Sequence, residues 1–347
     1  MTDAPDMKAV VLHAAGEADQ LSYEATTRPT PADDQVLVKI RACGVAYRDI
    51  IERRGGHPFM QFPIIQGHEF TGEVVETGSA VRRWQPGDRV MNLYANSCGA
   101  CDNCLGGDER QCMGASEAYG LFTNGGYAEY AVLNERGLER LDDDISFEDG
   151  ACIMSAASVG YNNVVNRAKV RAGETVLITG ASGGVGLAAL QTVKSLGAQA
   201  WAVTTSEKKA AWLESMGANR VIVNDGSSFH RDVRGILPGG VDAAIDCVGS
   251  DTLGSTLKAM KRNGRVAVVG TINPEPLSLK LGTIVVNGLS MLGSDGTNRK
   301  AIRETMTLVK NGSIKIAIDR TMPLAEAAEA HRLLEQRQVS GRIVLIP

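Results

Sequence analysis

The chain has 347 residues, 44% of them hydrophobic and 22% charged, and a formal net charge of −4. That length exceeds one ordinary core and suits two domains, and the composition excludes a disordered or fibrous chain. There is no basic surplus to neutralise a nucleic acid or an anionic membrane, no apolar run of membrane-spanning length, and no signal-peptide core in an N-terminus carrying two aspartates. No nucleic-acid or membrane partner is therefore expected, and the location is expected to be cytoplasmic.

Residues 7–13, 35–42 and 67–78 read as short extended stretches separated by turn chemistry such as Pro86-Gly87-Asp88, so the first half is predicted to be mostly β. From about Glu174 the texture changes. Strands are predicted over 174–179, 199–203, 220–223, 241–246 and 265–269, with amphipathic helices over 185–196 and 207–216. Alternating strand and helix predict an α/β unit with a parallel sheet covered on both faces. Beyond about Met291 the pattern is irregular again, with helices over 300–311 and 324–335 and a last strand over 342–346. This tail is predicted to rejoin the first domain, giving one domain of residues 1–153 and 292–347 and an inserted domain of residues 154–291.

Seven cysteines are few for a secreted disulfide scaffold, and Cys98, Cys101, Cys104 and Cys112 crowd into fifteen residues. Four thiolates in one glycine-rich loop are the number and softness that a closed tetrahedral zinc site requires. The set contains no histidine and no open position. One structural zinc per chain is expected, stapling a lobe of about residues 95–115 and performing no chemistry.

Gly180, Ala181, Ser182, Gly183, Gly184, Val185 and Gly186 follow a predicted strand and open a predicted helix, the context that makes a glycine pattern a dinucleotide site. Glycine at 183 lets the backbone approach a pyrophosphate, and glycine at 186 lets helix and strand pack closely. The next strand ends without the acidic residue that grips a ribose 2′-hydroxyl. Thr204, Thr205, Ser206 and Lys209 offer hydroxyls and an amine suited to a 2′-phosphate, which favours NADPH over NADH. Glu207 weighs against this, and Lys208 and Lys209 also fit a solvated helix start. Gly249 and Gly270 end later strands and are expected to line the nicotinamide pocket; Asp246 fits the cap of a turn equally well.

The cysteine lobe, Gly67-His68-Glu69 with Gly72 and Gly78, Pro86-Gly87-Asp88-Arg89-Val90 and the glycine turn occur in an order that resembles the medium-chain dehydrogenase/reductase superfamily over essentially the whole chain. The resemblance implies a GroES-like, mostly-β catalytic domain made from both chain ends, a Rossmann domain with a doubly wound parallel sheet, an active site in the cleft, and a homodimer or homotetramer. It also implies that Arg342, after Gly341, reaches the cofactor pyrophosphate.

Zinc alcohol dehydrogenases of that superfamily bind a catalytic metal through two cysteines and the histidine of Gly-His-Glu. Here the cysteine positions hold Ala46 and Ser155, and His68 with Glu69 supply two ligands at most, fewer than the three a catalytic zinc needs. Cys43 and Cys152 lie three residues away, an odd offset that on a strand turns them to the opposite face, and are predicted to be core cysteines. Zinc-free branches of the superfamily instead reduce polarised C=C bonds or quinones with NADPH. The stretch Tyr47-Arg48-Asp49, with Met60-Gln61-Phe62-Pro63 after it, is similar to the acryloyl-CoA reductases, which keep the four-cysteine lobe.

The resemblance makes Tyr47, Arg48, Asp49 and His68 the candidate catalytic residues. Tyr47 would donate to an enolate, Arg48 would contact the nicotinamide side or a substrate phosphate, and Asp49 would orient His68. The alternatives are that Tyr47 packs, that Arg48 pairs with Asp49, and that His68 and Glu69 are relics of the lost metal site. Arg53, Arg54 and His57 read as a basic patch, either solvated or receiving coenzyme A phosphates. The leading reading is an NADPH-dependent reductase of an enoyl thioester, then a quinone or small-enone reductase, then an alcohol dehydrogenase with atypical ligands or a non-enzymic NADPH-binding protein.

Overall fold

The computed structural model describes residues 6–94, 96–106, 108–112, 114, 118–224, 226–273, 275–294 and 296–347. Residues 95, 107, 113 and 115 of the predicted zinc lobe, and 1–5 of the predicted first domain, lie outside the described residues. The chain divides into two units. The first runs to Ser155 and regains the chain at Asn298–Met306 and Ala317–Pro347; the second is Ala156–Thr297 with Thr307–Ile316.

In the first unit the long strand Gln35–Val45 is the hub. It pairs antiparallel with Phe70–Thr77, with Tyr130–Asn134 and with the C-terminal strand Arg342–Ile346, so the C-terminal strand joins a sheet with strands from the first half of the chain. Val36, Leu37 and Val38 are all buried, and from Val38 to Arg41 burial alternates, Val38 and Ile40 in and Lys39 and Arg41 out, as in a sheet with one wet face. Register shifts at Leu37/Val38 and Ile40/Ala42 then bend the strand, and Ala42 to Ala46 are all buried. Phe70, Leu133 and Leu345 close the core above it, each burial being worth about 1.5–3 kcal/mol. A separate three-stranded sheet joins Leu21–Thr26, Met7–Leu12 and Ile64–Ile65.

The second unit carries a six-stranded, wholly parallel sheet in the order Arg220–Val223, Gln199–Thr204, Thr175–Thr179, Val241–Asp246, Met260–Val268, Ser290–Gly293. The order reverses between Thr175–Thr179 and Val241–Asp246, the switch point where doubly wound sheets bind their ligands. Val176, Leu177 and Ile178 are completely buried in succession because both faces of this sheet are covered.

The short helices His230–Ile236, Leu253–Ala259 and Leu281–Asn287 and the strands Ser290–Gly293 and Ile318–Pro323 were not apparent in the hydrophobic pattern, each being too short to establish a period. Two π-helical turns, Ile153–Ala157 and Asn163–Arg167, flank the helix Ser158–Asn162. No helix of the described residues is long and apolar enough to cross a membrane.

Candidate active site and metal centre

The antiparallel register that sets Cys43 opposite Phe70, with the Gly44 amide donating to the Glu69 carbonyl at 2.8 Å, brings Gly44-Val45-Ala46 beside His68-Glu69. Ala46 then leaves the strand with extended backbone and caps the helix Tyr47–Arg53. Asp49, at the third helical position, reaches back so that one carboxylate oxygen accepts the Ala46 amide at 2.8 Å. Its other oxygen lies 2.8 Å from His68 Nδ1, and His68 Nε2 lies 3.0 Å from Ser155 Oγ. Asp49 and His68 are buried, whereas Ser155 is half-buried. Burial acts to raise the Asp49 carboxyl, but the charge and hydrogen bond of His68, then His331 and the Ala46 amide, hold it below the usual carboxylate value.

Tyr47 is half-buried and makes no hydrogen bond among the described residues. Arg48 does not pair with Asp49. Its Nε donates to Glu52 at 2.5 Å, its Nη2 meets the Tyr94 hydroxyl, and its guanidinium stacks 4.3 Å from the Tyr94 ring centre. Burial pushes the Glu52 carboxyl up, opposed by Arg48.

The predicted basic patch loses its first member to the core, while Arg54 is exposed and His57 half-buried. Arg53 is completely buried, donating to Glu335 at 2.5 Å, to the Gly16 carbonyl at 3.0 Å and to His331 at 3.2 Å. Arg54 pairs with Glu335 and Glu17, and His57 packs edge-on to Phe122. A helix residue facing the neighbouring helix Ala327–Glu335 reads in sequence like one facing water, and only the distant Glu335 and His331 distinguish the two.

Arg342 forms an ion pair with Glu69, and the Glu69 oxygens have no hydrogen bond elsewhere among the described residues. Burial pulls the Arg342 guanidinium down to about 10, while Asp49 and Cys43 act in the opposite direction. Cys43 and Cys152 are both core cysteines, and burial raises both thiols.

The thiols of Cys98, Cys101, Cys104 and Cys112 lie within 4.8 Å of one another. Sulfur separations of 3.9, 3.5 and 4.0 Å bracket the value of about 3.8 Å that zinc–sulfur bonds of about 2.3 Å impose on a tetrahedron. Amides of Ala100 and Cys101 point at Cys98 Sγ and lower its thiol to about 6, favouring the thiolate a metal needs; burial raises Cys104 to about 12. The donor set fits a structural zinc.

In the second unit Gly180 turns the chain at φ +61° after the strand Thr175–Thr179, and Gly183 caps the helix Gly184–Ser195. A Cβ at Gly186 would lie 2.4 Å from the Gly180 carbonyl oxygen, so helix and strand touch there. Asp246 accepts from Thr179, Thr252 and Thr256 side chains and from the Val248 and Gly249 amides; it caps the turn. Gly249 and Gly270 are pressed together, a Cβ at Gly249 meeting the Gly270 carbonyl oxygen at 2.5 Å. The Thr204 hydroxyl accepts the Ser206 amide at 3.2 Å, while Thr205 is exposed and Ser206 and Lys209 are half-exposed.

Residues 32–143 match the family model for an alcohol dehydrogenase GroES-like domain, and residues 184–311 that for a zinc-binding dehydrogenase. An acryloyl-coenzyme A reductase of Metallosphaera sedula is 32% identical over 98% of this chain and 99% of its own length. The chain belongs to the medium-chain dehydrogenase/reductase superfamily. An alcohol dehydrogenase of Geobacillus stearothermophilus is 30% identical, covering 94% of this chain and 96% of its own. The crystal structure of AibC aligns with a TM-score of 0.89 at 41% identity, covering 98% of this chain and 96% of that one. This member of the superfamily is an oxidoreductase whose family and cysteine cluster support a nicotinamide cofactor and a structural zinc.

Ser155, Tyr127 and His331 escaped the reading of the sequence as site residues. Ser155 left a trace only as a missing metal ligand. Tyr127 and His331 left none, because the contacts that matter span 78 and 204 residues.

Proposed function

We propose that the chain is an NADPH-dependent reductase of activated carbon–carbon double bonds, with an enoyl thioester of the acryloyl-CoA type as substrate. One observation carries the reading: with Ala46 and Ser155 at the positions of two metal-binding thiolates, the Nε2 of His68 is taken by a serine hydroxyl. Lewis-acid activation of an alcohol is then short of ligands. A substrate that carries its own electron-withdrawing carbonyl needs none. The name of the Metallosphaera relative supports the same substrate class.

A bound reduced nicotinamide supplies a hydride to the β-carbon. Gly180 to Gly186 would hold its pyrophosphate, Thr204, Thr205, Ser206 and Lys209 would receive the 2′-phosphate, and Gly249 and Gly270 would border the ring; Arg342, expected at the pyrophosphate, is instead buried against Glu69. Tyr47 donates to the enolate oxygen, and Arg48, clamped by Glu52 and Tyr94, holds that turn of helix in place. Asp49 fixes the orientation of His68. A homodimer or homotetramer belongs to the same reading.

The test follows NADPH oxidation with acryloyl-CoA and crotonyl-CoA beside a quinone, and NADP reduction with a primary alcohol. Turnover of the thioesters is expected. Alcohol turnover alone, or two tightly bound zincs per chain, would overturn the proposal, and turnover of the quinone alone would move the substrate to that class.

A further inference from the structure

The donor and acceptor roles around Asp49 are fixed by a residue at the far end of a buried chain. Arg53 has N–H donors and no acceptor, so the 3.2 Å contact from its Nη1 makes His331 Nδ1 an acceptor. A neutral His331 then carries its proton on Nε2 and donates to the Tyr127 hydroxyl at 3.0 Å. The Tyr127 O–H is left to donate to Asp49 at 3.2 Å. His331 stays neutral: burial drives it down to about 4, Asp49 opposing and the Arg53 guanidinium assisting.

Every donor from Arg53 inward therefore points at the Asp49 carboxylate. That carboxylate also takes the Ala46 amide and the His68 Nδ1–H, which leaves His68 Nε2 to Ser155. Arg53, His331 and Tyr127 are completely inaccessible, Asp49 is 1% and His68 2% exposed, and Ser155 is the half-buried end of the line.

We infer that Ser155 delivers the proton to the α-carbon of the reduced substrate, drawing it from His68, with Tyr127 and His331 as positioning residues that hold Asp49. The inference rests on the double-bond reduction proposed above. As hydride forms the C–H bond at the β-carbon, the π electrons of the double bond move to the carbonyl oxygen as an enolate. The Ser155 O–H proton then forms the α C–H bond as the carbonyl re-forms, and a His68 imidazolium, keeping its Nδ1–H on Asp49, passes its Nε2–H proton to Ser155 Oγ. Neutral His68 recovers a proton from water. One hydride from NADPH and one solvent proton are consumed. The inner arm begins at a guanidinium, which only donates hydrogen bonds, so it orients Asp49 and conducts nothing.

Two experiments test this. In Ser155→Ala, kcat is expected to fall by about 10²- to 10⁴-fold with NADPH affinity and thermal stability unchanged. In D2O, the α-deuterium of its product is expected to lose the single-face stereochemistry given by the wild type, and Ser155→Thr to restore both. Stereospecific α-deuteration with kcat within about threefold of wild type would overturn the role of Ser155. Nitrogen-15 NMR of the neutral rings, which needs no substrate, is expected to show opposite tautomers, Nδ1–H at His68 and Nε2–H at His331, and Tyr127→Phe to perturb both. Either ring in the other tautomer would overturn the chain. If the wild type reduced no activated alkene, the proposed function and the proton donation would fall together, whereas the tautomers judge the chain alone.

Discussion

One methyl group, placed at two glycines of the same turn, separates a packing role from a binding role. At Gly186 a Cβ would lie 2.4 Å from the Gly180 carbonyl oxygen and 2.8 Å from Ala181 Cα. Both are backbone atoms, so the clash is relieved only by pushing the helix Gly184–Ser195 off the strand. Overpacking of this kind costs about 1–3 kcal/mol. At roughly 2–4 °C per kcal/mol, Gly186→Ala is expected to lower Tm by about 2–12 °C. At Gly183 the nearest atom is 3.4 Å away and φ is −87°, which alanine adopts freely. Gly183→Ala should therefore keep its stability to within about 1 kcal/mol, the small penalty of alanine as a helix cap. Its methyl stands at the helix N-terminus assigned to the pyrophosphate, and NADPH affinity should fall at least about tenfold, or 1.4 kcal/mol. Thermal denaturation and a fluorescence titration with NADPH read the two effects separately. Wild-type affinity in Gly183→Ala, or wild-type Tm in Gly186→Ala, would refute the assignment.

Elemental analysis should find one zinc per chain, and Cys104→Ser should lose it with a fall in Tm, a cysteine having left a set whose thiols all lie within 4.8 Å. Thr204→Asp should reverse the preference between NADPH and NADH by at least about tenfold, since a carboxylate repels a 2′-phosphate; an unchanged ratio of kcat/KM values would show that the end of the strand Gln199–Thr204 does not read the ribose. His331, held at about 4 against an ordinary 6.5, binds its proton in the unfolded chain before the folded one, so stability should drop as pH falls from 6.5 to 4, by roughly 3 kcal/mol. Chemical denaturation across that window should show a shallower pH dependence in His331→Gln, and an unchanged slope would count against the neutral, buried ring.

What the sequence revealed divides by the distance over which each feature is written. The glycine turn and the cysteine lobe occupy seven and fifteen consecutive residues, and their geometry follows from local backbone rules. The parallel sheet was legible because doubly covered strands are apolar throughout, as Val176 to Ile178 are. The pairing of Asp49 with His68 came through resemblance. Arg53 was misplaced because burial of an arginine depends on its partners, and His331 and Glu335 lie more than 270 residues along the chain. Ser155 was visible as a residue and invisible as a partner, since its contact with His68 crosses 87 positions.

Burying Arg53 and Asp49 in one core is expensive unless each charge is fully compensated, and removal of a single partner from such a network costs about 3–5 kcal/mol. A hydrophobic filling would hold the helices Tyr47–Arg53 and Ala327–Glu335 together as well. It would leave Asp49 with the His68 ring and the Ala46 amide alone, and an imidazole held by one flexible carboxylate can turn. A metal ligand needs no such restraint, because the metal itself fixes the ring. Once the thiolate positions hold Ala46 and Ser155, the ring must be aimed by protein alone. The chain from Arg53 through His331 and Tyr127 does so by holding, with the Ala46 amide, the Asp49 oxygen that His68 does not use.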